Sequence, residues 1–165
     1  MTFAPKHVFV PVDADVTADK ELAFALVDAA TDLASVLDAR VKLAHVALPV
    51  TVPALQPPVD NFGGAYRAMV DVLEARNATA QKNLDELKER VTRRGRPCAA
   101  LLITKPGNIP ELLVETAHDN HADVLVLATH ARRGLKRVVL GSIAERTAHL
   151  AGMPVLLMPP PPPRA

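Results

Sequence analysis

The chain has 165 residues, a formal net charge of +1 and 49% hydrophobic side chains, which suits one domain with a complete apolar core. Its near-neutral charge argues against a polyanion binder, and 3% aromatic residues with no Trp leave too few rings for a nucleic-acid stacking platform. One cysteine, Cys98, excludes an internal disulfide and a cysteine-based zinc cluster; beside "AALLI" it reads as a small core residue.

The opening stretch "MTFAPKHVFVPVD" lacks a signal-peptide apolar region, and no uninterrupted apolar run approaches the ~18 residues of a membrane span, so a soluble cytoplasmic protein with no membrane or nucleic-acid partner is expected. "HVFVPV" (7–12) reads as a buried strand ending at Asp13. Thr17 is then the expected N-cap of a helix whose stripe is Leu22, Leu26, Ala29, Leu33 and Leu37. "RVKLAHVAL" (40–48) is a second strand, and 49–64 a Pro-punctuated loop. Met69, Leu73, Arg76, Ala80, Leu84, Leu87 and Val91 mark a long second helix, with Arg76 its one non-apolar stripe member; Gly95 and Pro97 end it.

A third strand spans 98–104. Asn108 and Glu111 have capping-box spacing, and Pro110 falls in the first turn of the helix that follows. "ADVLVLA" (122–128) is the fourth strand, a helix runs from Ser142 to about Ala151, and "PVLLM" (154–158) is the fifth strand. Strict alternation with continuous apolar strands implies a doubly wound α/β fold: a five-stranded parallel sheet with helices on both faces. The expected domain is 1–158, followed by a disordered Pro-rich tail, 159–165.

Open α/β sheets bind ligands beyond the carboxyl ends of their strands, where strand order reverses. Two such ends carry unusual chemistry here. Pro11 cannot donate to a sheet ladder, so pairing loosens there, and Asp13 follows at the mouth. The fourth strand runs into "ATHARRGLKRVVLGS" (128–142), which gathers Arg132, Arg133, Lys136 and Arg137 ahead of Gly141 and Ser142. Ser142 and Glu145 have the spacing of a capping box, and the residues before them face a positive helix end. Two readings stand: the loop cradles a phosphate, or it only joins a strand to a capped helix with a solvated basic surface.

Several chemistries are absent from the sequence. It has no P-loop, no GxGxxG dinucleotide fingerprint and no GxSxG elbow. His118 and His121 read as residues of a helix C-terminus rather than metal ligands, and His45 and His130 lie near strand ends with no nucleophile beside them. No catalytic residue is assigned, and only Asp13 and His130 are placed where they could orient a water.

The chain resembles the universal stress protein family in "VFVPVD", "LAHV", "TKPGNIPELLVETA" and the long segment "ADVLVLATHARRGLKRVVLGSIAERTAHLAGMPVLLMP". That resemblance implies a dimer through the last strand, at Val155, Leu156, Leu157 and Met158. It also implies an adenine-nucleotide site, with base and ribose against Pro11, Val12, Asp13, Val46 and Leu127, and phosphates against Ala128, Ala131, Arg132, Gly141, Ser142 and Ile143. ATP-binding members share a Gly-x2-Gly-x9-Gly-Ser/Thr loop; here Ala128 and Ala131 stand at the first two glycine positions. Alanine keeps the backbone N–H groups but loses the freedom to reach positive φ. The resemblance therefore implies a regulatory module that binds ATP, with magnesium, or AMP, and acts through ligand-dependent contacts with a protein partner. The alternative is a nucleotide-free homodimeric stress or scaffold protein.

Overall fold

The computed structural model describes residues 4–15, 19–47, 63–129 and 141–159. In chain order the elements are β1 (His7–Pro11), α1 (Lys20–Leu37), β2 (Arg40–Val46), α2 (Gly63–Arg93), β3 (Cys98–Ile103), α3 (Ile109–Asp119), β4 (Val124–Ala128), α4 (Ser142–Leu150) and β5 (Val155–Met158). The strands form one parallel sheet in the order β3-β2-β1-β4-β5. The expected single α/β fold is present.

The apolar strand runs exist because both faces are covered. Val8 and Val10 point to one side, into a core shared with Val27 and Ala30 of α1 and Leu84 and Val91 of α2. Phe9 points the other way, against Leu113 and Ala117 of α3 and Ala144 of α4. Alternation along one strand thus feeds two cores.

Local details differ from the sequence expectations. Asp19 caps α1, its Oδ1 accepting from Leu22 N–H at 3.1 Å; Thr17 lies outside the described residues. The buried stripe of α1 is Leu26, Val27, Ala30, Thr31 and Ala34, so Leu22, Ala29, Leu33 and Leu37 sit half-buried on its flank. Small residues let the helix lie close to the sheet. Helix α2 begins at Gly63, inside the stretch read as a loop to residue 64, and only Ala80, Leu84, Leu87 and Val91 of its stripe are buried.

Asn108 does occupy the N-cap of α3, but through its backbone: Leu112 N–H donates to the Asn108 carbonyl at 3.0 Å and the side chain makes no capping bond. At α4 the N-cap is Gly141, and Ser142 is the first helical residue, so the Ser142–Glu145 capping box is not formed; Glu145 N–H donates to the Gly141 carbonyl at 2.8 Å. Cys98 is half-buried against the first core, and burial pushes its thiol up to about 11. Among the described residues no helix is long and apolar enough to cross a membrane, and no cluster of three His, Cys, Asp or Glu side chains could hold a metal ion.

Candidate functional site

Strand order reverses between β1 and β4, and one residue opens the sheet there. Val12 N–H donates to the Ala44 carbonyl of β2 at 2.9 Å. N–H groups alternate sides along a strand, so the donor that Pro11 lacks is on the β4 side. The β1–β4 ladder is confined to Val8↔Val124 and Phe9↔Leu125, while β4 stays in register with β5 as far as Ala128↔Met158. The two strands part, leaving a cleft of ≈ 370 Å³.

Residues expected at a ligand line this cleft: Pro11, Val12 and Asp13 after β1, Val46 on β2, Leu127 and Ala128 on β4, and Ile143 on α4. Gly141 and Ser142 stand just ahead of Ile143 at the start of α4. Ala131, Arg132 and His130, with the rest of the basic loop, lie outside the described residues. The structure adds side chains that the sequence did not single out as ligand contacts: Asp15, Asp19, Leu22, Leu26, His45, Arg76, Ile109 and Leu113. Arg76 carried a signal, as the lone cation in an apolar helix stripe; the others carried none.

The segment after β1 is held from two elements, α2 and β2. Asn83 of α2 donates from Nδ2 to the Ala14 carbonyl at 2.9 Å. His45 Nδ1 lies 3.2 Å from both Ala14 N–H and the Val12 carbonyl, accepting from the first in one tautomer and donating to the second in the other. Either form of the imidazole holds the loop. Arg76 Nε donates to Asp15 Oδ1 at 2.7 Å, and its Nη2 also bonds that carboxylate. Hydrogen bonding to Asp15, opposed by desolvation and aided by the charges of Asp15 and Asp13, holds the Arg76 guanidinium above its ordinary range. Asp13 Oδ1 accepts from Asp15 N–H at 3.1 Å, which turns the chain at the mouth.

At the opposite wall, the N-cap of α4 is Gly141, which has no side chain to bond the helix's first N–H groups. Such a helix end attracts an oxyanion, opposed here by Glu145 in the first turn. Ala128 closes β4 and is not among the described non-glycine residues with positive φ, which are Asp38 and His121. Glycine's left-handed freedom is therefore not needed at position 128.

Fold and cleft define a class: a doubly wound α/β module with a small-molecule-sized crevice at its topological switch point. The profile of the Universal stress protein family matches residues 5–159. The chain belongs to the universal stress protein family. A curated relative, Universal stress protein MJ0531 of Methanocaldococcus jannaschii, is 43% identical over 49 residues, a match spanning 30% of this chain and 29% of that protein. Among solved structures, a universal stress family protein from Burkholderia pseudomallei is similar at 25% identity and TM-score 0.67, covering 96% of this chain and 99% of that one. A universal stress protein in complex with cAMP aligns at 22% identity and TM-score 0.62, over 94% and 97% of the two chains. One from Archaeoglobus fulgidus in complex with dAMP aligns at 16% and 0.59, over 93% and 98%.

Proposed function

We propose that this protein is a cytoplasmic adenine-nucleotide-binding module, taking ATP with magnesium or AMP, that acts through ligand-dependent contacts rather than turnover. The observation that carries this reading is the cleft where β1 and β4 part, apolar along Pro11, Val12, Leu127 and Ile143 and facing the start of α4. An aromatic base suits the apolar walls, and a phosphate suits the α4 N–H groups. The cAMP and dAMP complexes of similar folds support the same ligand class.

The module works as a homodimer in this reading. Strand β5 lies at the sheet edge, with Leu156 39% and Leu157 41% exposed, and an apolar edge of that kind invites a second copy.

A nucleotide-free dimeric scaffold is the second reading, favoured by the acidic cleft: Asp13, Asp15 and Asp19 accompany Arg76 among its described residues. Gentle purification without added nucleotide, acid release, chromatography and a magnesium-ATP titration of the stripped protein separate the two. Adenine nucleotide near one per chain, or a saturable titration, supports the first; an empty protein that ATP neither heats nor stabilises supports the second.

A further inference from the structure

A second cavity, of ≈ 240 Å³, lies at the other end of the sheet. Register explains its walls. His7 pairs with Arg40 and Phe9 with Lys42 across β1 and β2, and Lys42 pairs with Ala99 of β3. Phe9 faces α3 and α4, so these side chains share that face by alternation. Two helices do not cover the β3 end of a five-stranded face, and Ala99 is left exposed there.

The charges in this recess are unusual. Lys42 is half-buried, yet among the described residues its Nζ meets only a neutral partner, Asn120 Oδ1 at 2.7 Å. Asn120 is oriented in turn by donating Nδ2 to the Thr116 carbonyl at 2.7 Å. Arg40, two residues before Lys42 on the same face, pairs with no carboxylate among the described residues. Two acids near these strand starts are committed elsewhere: Asp123 accepts the backbone N–H groups of Lys6 and His7 at 2.7 and 2.9 Å, and Asp38 pairs with Lys6 and Arg96. Attraction of Lys42 to the α3 C-terminus accounts for one cation. It leaves Arg40 unexplained.

From these two cations flanking a recess with an apolar wall, we infer a binding site for a small organic anion at the amino ends of β1 and β2. A carboxylate or phosphate head lies between the Arg40 guanidinium and Lys42 Nζ, and an apolar body rests on Ala99 and Ala122. Asn120 positions Lys42 for it. This site is separate from the nucleotide cleft: His7 and Pro11 are four residues apart on one strand, about 13 Å. Its test is accordingly independent of the nucleotide reading.

The experiment is a titration of the full chain, followed through assigned backbone amides by heteronuclear NMR, with benzoate and separately with inorganic phosphate. Saturable shifts of the amides at 40–42 and 120, lost in Arg40→Gln and in Lys42→Gln, are expected. A stronger response to benzoate identifies a carboxylic acid with an apolar body; a stronger response to phosphate identifies a phosphate ester. No saturable shift by about 20 mM of either probe, a millimolar affinity limit, overturns the site. So do shifts that persist unchanged in Arg40→Gln, which alters an exposed side chain and leaves the fold intact.

Discussion

Arg76 reaches from α2 to grip Asp15, its Nε within 2.7 and 2.9 Å of the two carboxylate oxygens, and so ties a long helix to the mouth of the cleft. It is the one Lys or Arg among the described residues lining that cleft. Arg76→Ala leaves the charges of Asp13 and Asp15 without this counter-ion. ATP affinity is expected to fall severalfold, more at low ionic strength than at high, because partly exposed charges are screened by salt. Arg76→Lys recovers only part of the loss, since an ammonium cannot match the planar guanidinium fork. Calorimetry at two salt concentrations reads this directly, and equal dissociation constants in wild type and Arg76→Ala at both would remove Arg76 from the site.

Ala128 stands where the family resemblance implies a glycine in an ATP-binding loop, and its strand conformation makes the methyl a matter of bulk rather than strain. Ala128→Gly is expected to lower stability by about 0.5–1 kcal/mol through backbone entropy. Nucleotide affinity should move by less than about threefold. A tenfold gain in titration would show that the methyl obstructs the phosphates.

Asp28 and Arg90 join α1 to α2 by two parallel hydrogen bonds, 2.6 and 2.7 Å, with the guanidinium carbon 4.8 Å from the Phe24 ring centre. The Arg90 hydrogen bond, outweighing burial and helped by the charges of Arg90 and Arg94, holds the Asp28 carboxyl below its ordinary 3.8. A folded pKa below the unfolded one gives stability that is full above the unfolded value and lost as pH falls through the folded value. Asp28→Asn should therefore cost about 0.5–1 kcal/mol at neutral pH for so exposed a pair. Thermal melts should show the gap constant from pH 7 to about 5 and closing below about 4. A gap that widens in acid would contradict the assignment.

Leu156→Asp places a charge on the exposed side of β5. Under the proposed β5 dimer the expected result is monomer or aggregate in light scattering, since burying an unpaired carboxylate is costly. An unaltered dimer peak would put the interface elsewhere.

Much of this fold was legible because continuous apolar strands alternating with helical stripes admit few arrangements. The β1 side of the cleft was legible as well, since Pro11 and Asp13 sit where a strand must end. The shoulder of α1 was misread because periodicity locates a stripe only to within one residue's rotation, and Val27, Ala30 and Thr31 fit the sheet more closely than the leucines beside them. Both misplaced caps, Thr17 for Asp19 and Ser142 for Gly141, lie one or two positions off, where any small polar residue suits the pattern.

The sequence by itself determined the α/β class, the order of elements and the strand end at which the cleft opens, because these follow from local periodicity and chain connectivity. Only the tertiary structure decided that Arg76, Asp15 and His45 meet at one cleft and that Arg40, Lys42 and Asn120 meet at the opposite end. Asp15 and Arg76 are 61 positions apart, and Lys42 and Asn120 are 78 apart. Contacts at that separation depend on strand order and register, which set which side chains share a face and which local pattern does not encode.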